Sequence, residues 1–211
     1  MSRGIATTLA EWRFLLLTLL ICVFLLTTPL IVGNWLVQIV MEALLLATVL
    51  VTLSANPGWQ RLRRVLVVLW LVSVAGTLLS VFSIRPDLWR WHRTIELLTI
   101  VPVLAVVAAG MLAFVRRQHT LTVASIFARV AAYLLLAVLF TQLYLCLITW
   151  NPASFSLPVE AAGRSAQLLQ ADMTYFSLVT LATVGYGDIL PATHTARMLA
   201  MFQSVVGVFY V

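Results

Sequence analysis

The chemistry this chain could perform is concentrated in Thr183-Val184-Gly185-Tyr186-Gly187-Asp188. Two glycines spaced two apart open left-handed torsions to the backbone, and alternating torsions let successive peptide carbonyls face the same way. Carbonyl oxygens in a row, joined by the Thr183 hydroxyl, could replace the water shell of a desolvated monovalent cation. The residues just before them, Met173 to Ala182, suit a helix too short to cross a bilayer. Asp172 offers a side chain able to cap its start. A short re-entering helix of this kind aims the partly negative end of its dipole, near Ala182, at a cation held beyond it. Irregular backbone survives at membrane depth only where it lines a wet cavity, so the remaining sequence must build that cavity.

That remaining sequence supplies membrane-spanning helices. Of 211 residues, 63% are hydrophobic and 9% charged, which excludes a soluble globular domain. Runs of about 20 apolar residues, the length a bilayer requires, fall at Phe14 to Val32, Trp35 to Leu53, Val65 to Ile84, Leu97 to Val115 and Val130 to Thr149. Each is expected to be helical, because backbone amides in hydrocarbon need partners within the segment and no alternating barrel pattern is present. Gly33-Asn34 and the run Ser54 to Gly58 mark turns between them. Asn151 through Gln170 reads as an exposed polar loop. A sixth apolar run, Met198 to Val211, corresponds to only about 21 Å of helix. It is expected to begin near Ala192, with His194 and Arg197 at its polar end, and the chain to stop part-way along it.

All 13 basic residues are Arg, against 7 acidic ones, for a net charge of +6. With a cytoplasmic N-terminus, the inside connections hold Arg3, Arg13, Arg61, Arg63, Arg64, Arg116, Arg117 and Arg129, and the outside ones hold Arg85, Arg90, Arg93, Arg164 and Arg197. The excess lies inside, as topology rules require. The charge therefore describes topology rather than a nucleic-acid partner.

The hexapeptide, standing after a short helix and between two apolar spans, resembles the selectivity filter of tetrameric potassium channels. The resemblance covers roughly Val130 to Val211 and is to the six-span type without a charged voltage sensor. It implies stacked K+ sites formed by the backbone oxygens of Thr183, Val184, Gly185 and Tyr186 with the Thr183 hydroxyl, Gly187 completing the filter, and Asp188 at the outer mouth. Tyr186 would point away from the pore and pack on the aromatic pore helix at Tyr175 and Phe176, while Thr180 matches the family frame. Two positions depart from it: Ala182 stands where a second Thr is common, and Val179 where some members place a Glu that pairs with the mouth aspartate. One filter per chain implies a homotetramer, with Thr183 facing the cytoplasm and Asp188 facing outside.

Other residues carry less. From Leu97 to Val115 there is no charge, so a ladder able to sense voltage is missing and Arg116 and Arg117 read as topological anchors. Glu42 sits in the middle of the second span, either as a proton- or ligand-sensing site or as a neutral acid hydrogen-bonded in the bundle, for instance to Gln38. Gly207, in the last apolar run, is either a hinge or a close-packing residue. Cys22 and Cys146 read as small buried hydrophobes. His92, His119 and His194 share no metal-ligand spacing, and no nucleophile-base pair or phosphate loop supports an enzyme.

The sequence is therefore identified as an all-α membrane protein with six transmembrane helices and a re-entrant pore helix and filter between the fifth and sixth. Residues 1–118 form a four-helix unit and residues 119–211 a pore module. The expected function is passive, potassium-selective conduction as a homotetramer in a cell or inner membrane, multi-pass, without strong voltage gating and without a cofactor, its partners being K+ and the lipid bilayer. The alternatives are a potassium transporter subunit and a non-conducting membrane sensor.

Overall fold

The computed structural model describes residues 60–82, 89–117, 123–157 and 166–210, together with residues 15, 16, 18, 19, 21–23, 25 and 43. Their architecture is mainly helical: α1 Gln60–Phe82, α2 Trp89–Arg117, α3 Val123–Trp150, a 3-10 turn Pro152–Ser154, strand β1 Phe155–Ser156, α4 Ala166–Leu181, strand β2 Leu190–Pro191 and α5 His194–Tyr210. Among the described residues, one helix is long and apolar enough to cross a membrane, over Ser125–Trp150.

Helix α3 organises the molecule. After Arg129 it carries no charged residue. It ends at Asn151-Pro152, because proline disfavours helical torsions in the residue before it. The Asn151 amide still donates to the Leu147 carbonyl at 2.8 Å, while its side chain accepts from the Ala153 amide at 3.1 Å and caps the 3-10 turn. The first and middle turns of α3 bury Ala131, Ala132, Leu135 and Val138 against Leu66 of α1, Ile100, Val103, Leu104 and Val107 of α2, and Ile21. The C-terminal half buries Phe140, Tyr144, Leu145 and Ile148 against Phe155, Met173 and Phe176 of α4, Ile189, and Ala196 and Ala200 of α5.

Several sequence expectations shift. Helix α4 begins at Ala166, so part of the segment expected as loop is helical and Asp172 lies within the helix rather than at its cap. The cause is local, since Ala166-Gln167-Leu168-Leu169-Gln170-Ala171 are good helix formers with nothing to stop the chain before Asp172. At 16 residues, α4 is about 24 Å long, still short of a hydrocarbon core of about 30 Å. The Trp89 to Arg93 cluster, expected in a connection, forms the first turns of α2, which runs through Pro102 to Arg117. Helix α5 starts at His194, where the Thr193 hydroxyl accepts from the Ala196 amide at 3.3 Å and supplies the N-cap. The first two expected spans lie almost wholly outside the described residues, as do positions 83–84 of the third.

Candidate ion-coordination site

The site starts where α4 stops. The Val184 amide donates to the Val179 carbonyl at 2.9 Å and the Thr183 amide to the Thr180 carbonyl at 3.1 Å. That pair of bonds, six-to-one and five-to-two, is a Schellman ending, which requires a left-handed residue just past the cap. Thr183 fills that place with φ 57. Glycine is the usual occupant. A β-branched residue there is an outlier that costs on the order of 1–3 kcal/mol and is kept at functional sites. The Thr183 hydroxyl and carbonyl are what glycine alone could not provide together.

The strain begins a pattern. Thr183, Gly185 (φ 58) and Gly187 (φ 81) have positive φ while Val184 and Tyr186 between them do not. An ordinary strand sends successive carbonyls to opposite sides; alternating hands remove that alternation and allow a row of oxygens along one edge. At Gly185 and Gly187 nothing lies within 4 Å of where a Cβ would stand. Torsion, not space, is what calls for glycine at these two positions. Residues 182–188 are all exposed, so the segment's own chain leaves its oxygens open to a ligand.

Two anchors hold this segment. At its start, the Val179 carbonyl also receives the Gly185 amide at 3.4 Å. At its end, Ile189 is buried against the cluster containing Phe155, and β1 pairs antiparallel with β2, Phe155 opposite Pro191 and Ser156 opposite Leu190. The Ala192 amide adds a bond to the Ser154 carbonyl at 2.8 Å.

The aromatic supports divide. Tyr175 and Tyr186 lie parallel, ring centroids 6.4 Å apart, an offset-stacked arrangement. Tyr186 is nonetheless 72% exposed. Phe176, expected on the same ring, turns the opposite way, edge-on to Tyr144 at 5.1 Å and to Phe155 at 5.2 Å. Successive residues on a helix point about 100° apart, so one of the pair faces the segment and the other faces the core. Thr180 contributes its carbonyl, the acceptor for Thr183. The Asp188 side chain beside the Tyr175 hydroxyl, ahead of partial desolvation and the Asp188 charge, holds the Tyr175 pKa above the usual tyrosine value of 10.0. Asp188 therefore has a neighbour on α4, one turn before the Val179 position where the sequence offered none. Its own Oδ1 also accepts from the Ile189 amide at 3.1 Å.

Gly207 is buried in α5. A Cβ built there would stand 2.2 Å from the Leu181 carbonyl oxygen, so a side chain at this position would press on the end of α4. Glu42 lies outside the described residues. Sequence reasoning missed Gln203, Ser177 and Tyr144, which meet behind the site. A fully buried Gln203 within an apolar run was the available signal, because a polar side chain at membrane depth needs a reason to be there.

A family model described as an ion channel matches residues 120–211. Protein LctB of Bacillus caldotenax is 31% identical over 93 residues, covering 44% of this chain and 69% of its own length. The chain belongs to the ion channel family. Two plant relatives agree. Two-pore potassium channel 4 of Arabidopsis thaliana is 35% identical over 77 residues, 36% of this chain and 26% of its own. Two pore potassium channel c of Oryza sativa subsp. japonica is 37% identical over 81 residues, 38% of this chain and 17% of its own. The chain thus spans only about a quarter or less of the length of these plant relatives. No solved structure matches it. As an ion channel family member it is a membrane protein, and the matched region contains α3, α4, the alternating segment and α5.

Proposed function

We propose that this chain is one subunit of a homotetrameric, potassium-selective channel that conducts K+ passively down its gradient. The observation that carries the proposal is the alternation of positive φ at Thr183, Gly185 and Gly187 directly after the end of α4. It suits a column of sites in which the carbonyls of Thr183, Val184, Gly185 and Tyr186, with the Thr183 hydroxyl, take the place of K+ hydration. One segment offers oxygens from one side only, so a closed shell needs four copies around an axis. The outward face of α5 fits that requirement: Met198, Met201, Phe202, Val205, Val208 and Phe209 are exposed, Phe209 by 87%. The relatives named as potassium channels support the choice of ion.

In this reading the chain has six spans, residues 1–118 form the peripheral unit and residues 119–211 the pore module. The N-terminus is cytoplasmic, Asp188 marks the outer mouth, and the protein sits in a plasma or inner membrane. Gating is not strongly voltage-dependent, because residues 94–115 of α2 include no basic residue. K+ is the permeant ion and no cofactor takes part.

The test is K+ and Na+ flux into liposomes holding the purified full chain, with Gly185→Ala beside the wild type. Wild-type K+ flux far above Na+ flux, lost in the variant, is the expected result; a residue with Cβ is strained at φ 58 by about 1–2 kcal/mol whatever the space around it. Equal flux in the two proteins contradicts the assignment. A native mass of one or two subunits instead of four points to a transporter subunit or a non-conducting sensor.

A further inference from the structure

Behind the candidate filter, three helices meet through a closed set of polar contacts. Gln203 of α5 is 0% exposed. Its Oε1 accepts from the Tyr144 hydroxyl of α3. Its Nε2 donates to the Ser177 carbonyl of α4 at 3.0 Å and to Ser177 Oγ at 2.7 Å. The Ser177 hydroxyl in turn donates to the Ala137 carbonyl of α3 at 2.7 Å. Both amide protons and both hydroxyl protons are used, so the group is a satisfied network in a region of low dielectric, where partial satisfaction is costly.

The position of this network matters more than its strength. Ser177 is two residues before Val179, whose carbonyl receives the amides of Val184 and Gly185. Four residues further along each helix, Gly207 of α5 rests against the Leu181 carbonyl of α4. Helix α5 therefore grips the last turn of α4 twice, by directed hydrogen bonds at Gln203 and by backbone contact at Gly207, in one register. Neither a slide nor a rotation of that turn is free: either one breaks the Gln203 bonds or drives Gly207 into the carbonyl. A leucine at 203 would fill similar volume and leave the turn free to adjust.

We infer that Gln203 is a positioning residue for ion selectivity: through Ser177 it fixes the last turn of α4, and through that turn the torsions of Thr183 to Gly187, without meeting an ion. The inference rests on the potassium-conducting reading above. Interhelical hydrogen bonds between neutral groups at membrane depth contribute modestly to stability, so the effect is expected in selectivity more than in assembly.

The experiment compares wild type, Gln203→Leu, Tyr144→Phe and Ser177→Ala as full chains, purified in the same detergent and reconstituted in the same liposomes. Native mass and thermal unfolding are recorded beside the K+/Na+ flux ratio. The expected result is a ratio lowered about tenfold in Gln203→Leu, the scale usual for groups that orient ligands from behind, in a protein of wild-type mass and similar unfolding temperature. A smaller fall is expected in Tyr144→Phe, which keeps the Ser177 contacts. A wild-type ratio in an intact Gln203→Leu protein overturns the inference. If Gln203→Leu does not assemble, Ser177→Ala and Tyr144→Phe decide: lowered ratios support the role and unchanged ratios refute it. A wild type that does not discriminate K+ from Na+ refutes the conducting reading itself, whatever the variants do.

Discussion

The two faces of α4 are held by different means. Toward the core, Met173, Phe176, Ser177 and Leu181 are buried, locked by an aromatic cluster with Tyr144 and Phe155, by the Gln203 bonds and by the contact at Gly207. Toward the exposed segment there are only two backbone bonds to Val179, one to Thr180, one ring stack and one hydroxyl on Asp188. The contrast shows how a strained, exposed segment can be kept in place: side-chain packing immobilises the helix, and the helix end then sets the torsions that follow it. Rigidity is located behind the segment, and the segment itself stays exposed.

Substitutions on the two faces should therefore separate stability from selectivity. Phe176→Ala removes a buried ring shared by Tyr144 and Phe155 and should destabilise by about 3–5 kcal/mol, seen as a large drop in unfolding temperature. Gly207→Ala places a methyl against the Leu181 carbonyl and forces α5 off α4, at a cost of about 1–3 kcal/mol, read by the same scan.

On the exposed face, Thr183→Gly should do the opposite. It relieves left-handed strain of about 1–3 kcal/mol and raises the unfolding temperature, yet it removes the hydroxyl and lowers the K+/Na+ flux ratio. A lowered unfolding temperature there would break the comparison. The smallest effect is expected from Tyr175→Phe, which deletes one exposed hydroxyl beside Asp188. Because Asp188 raises the Tyr175 pKa above 10.0, the contribution of that hydroxyl is full below pH 10 and is lost as pH climbs through the raised value. Wild type and Tyr175→Phe should thus differ in stability at neutral pH and converge at strongly alkaline pH.

How much of this was legible in the sequence follows from what each feature depends on. The hexapeptide and its glycines were readable because torsional demand is local: φ at Gly185 and Gly187 follows from residue type. The apolar body of α3 was readable because hydrocarbon thickness sets it, although the helix starts at Val123, about two turns before the run read from Val130. The start of α4 was misplaced because Asp172 is a good cap residue, and the helix-forming run before it carries no apolar periodicity to announce itself. The expectation that Tyr175 and Phe176 both pack on Tyr186 ignored helix geometry, since adjacent residues on a helix point about 100° apart. The Gln203 network depends on which faces of three helices meet, and no spacing within one helix encodes that. The close approach of Gly207 to Leu181 was not readable, because the carbonyl it meets belongs to another element.

The most direct measurement of the central claim is a structure of the purified full chain in a bilayer mimic, determined with K+ and again with Tl+ as a K+ mimic whose anomalous signal marks its position. The account predicts four chains around one axis, with a column of cation density ringed by the carbonyls of Thr183, Val184, Gly185 and Tyr186 and the Thr183 hydroxyls. Cation density away from those oxygens, or an assembly in which the four segments do not face a common axis, would contradict it.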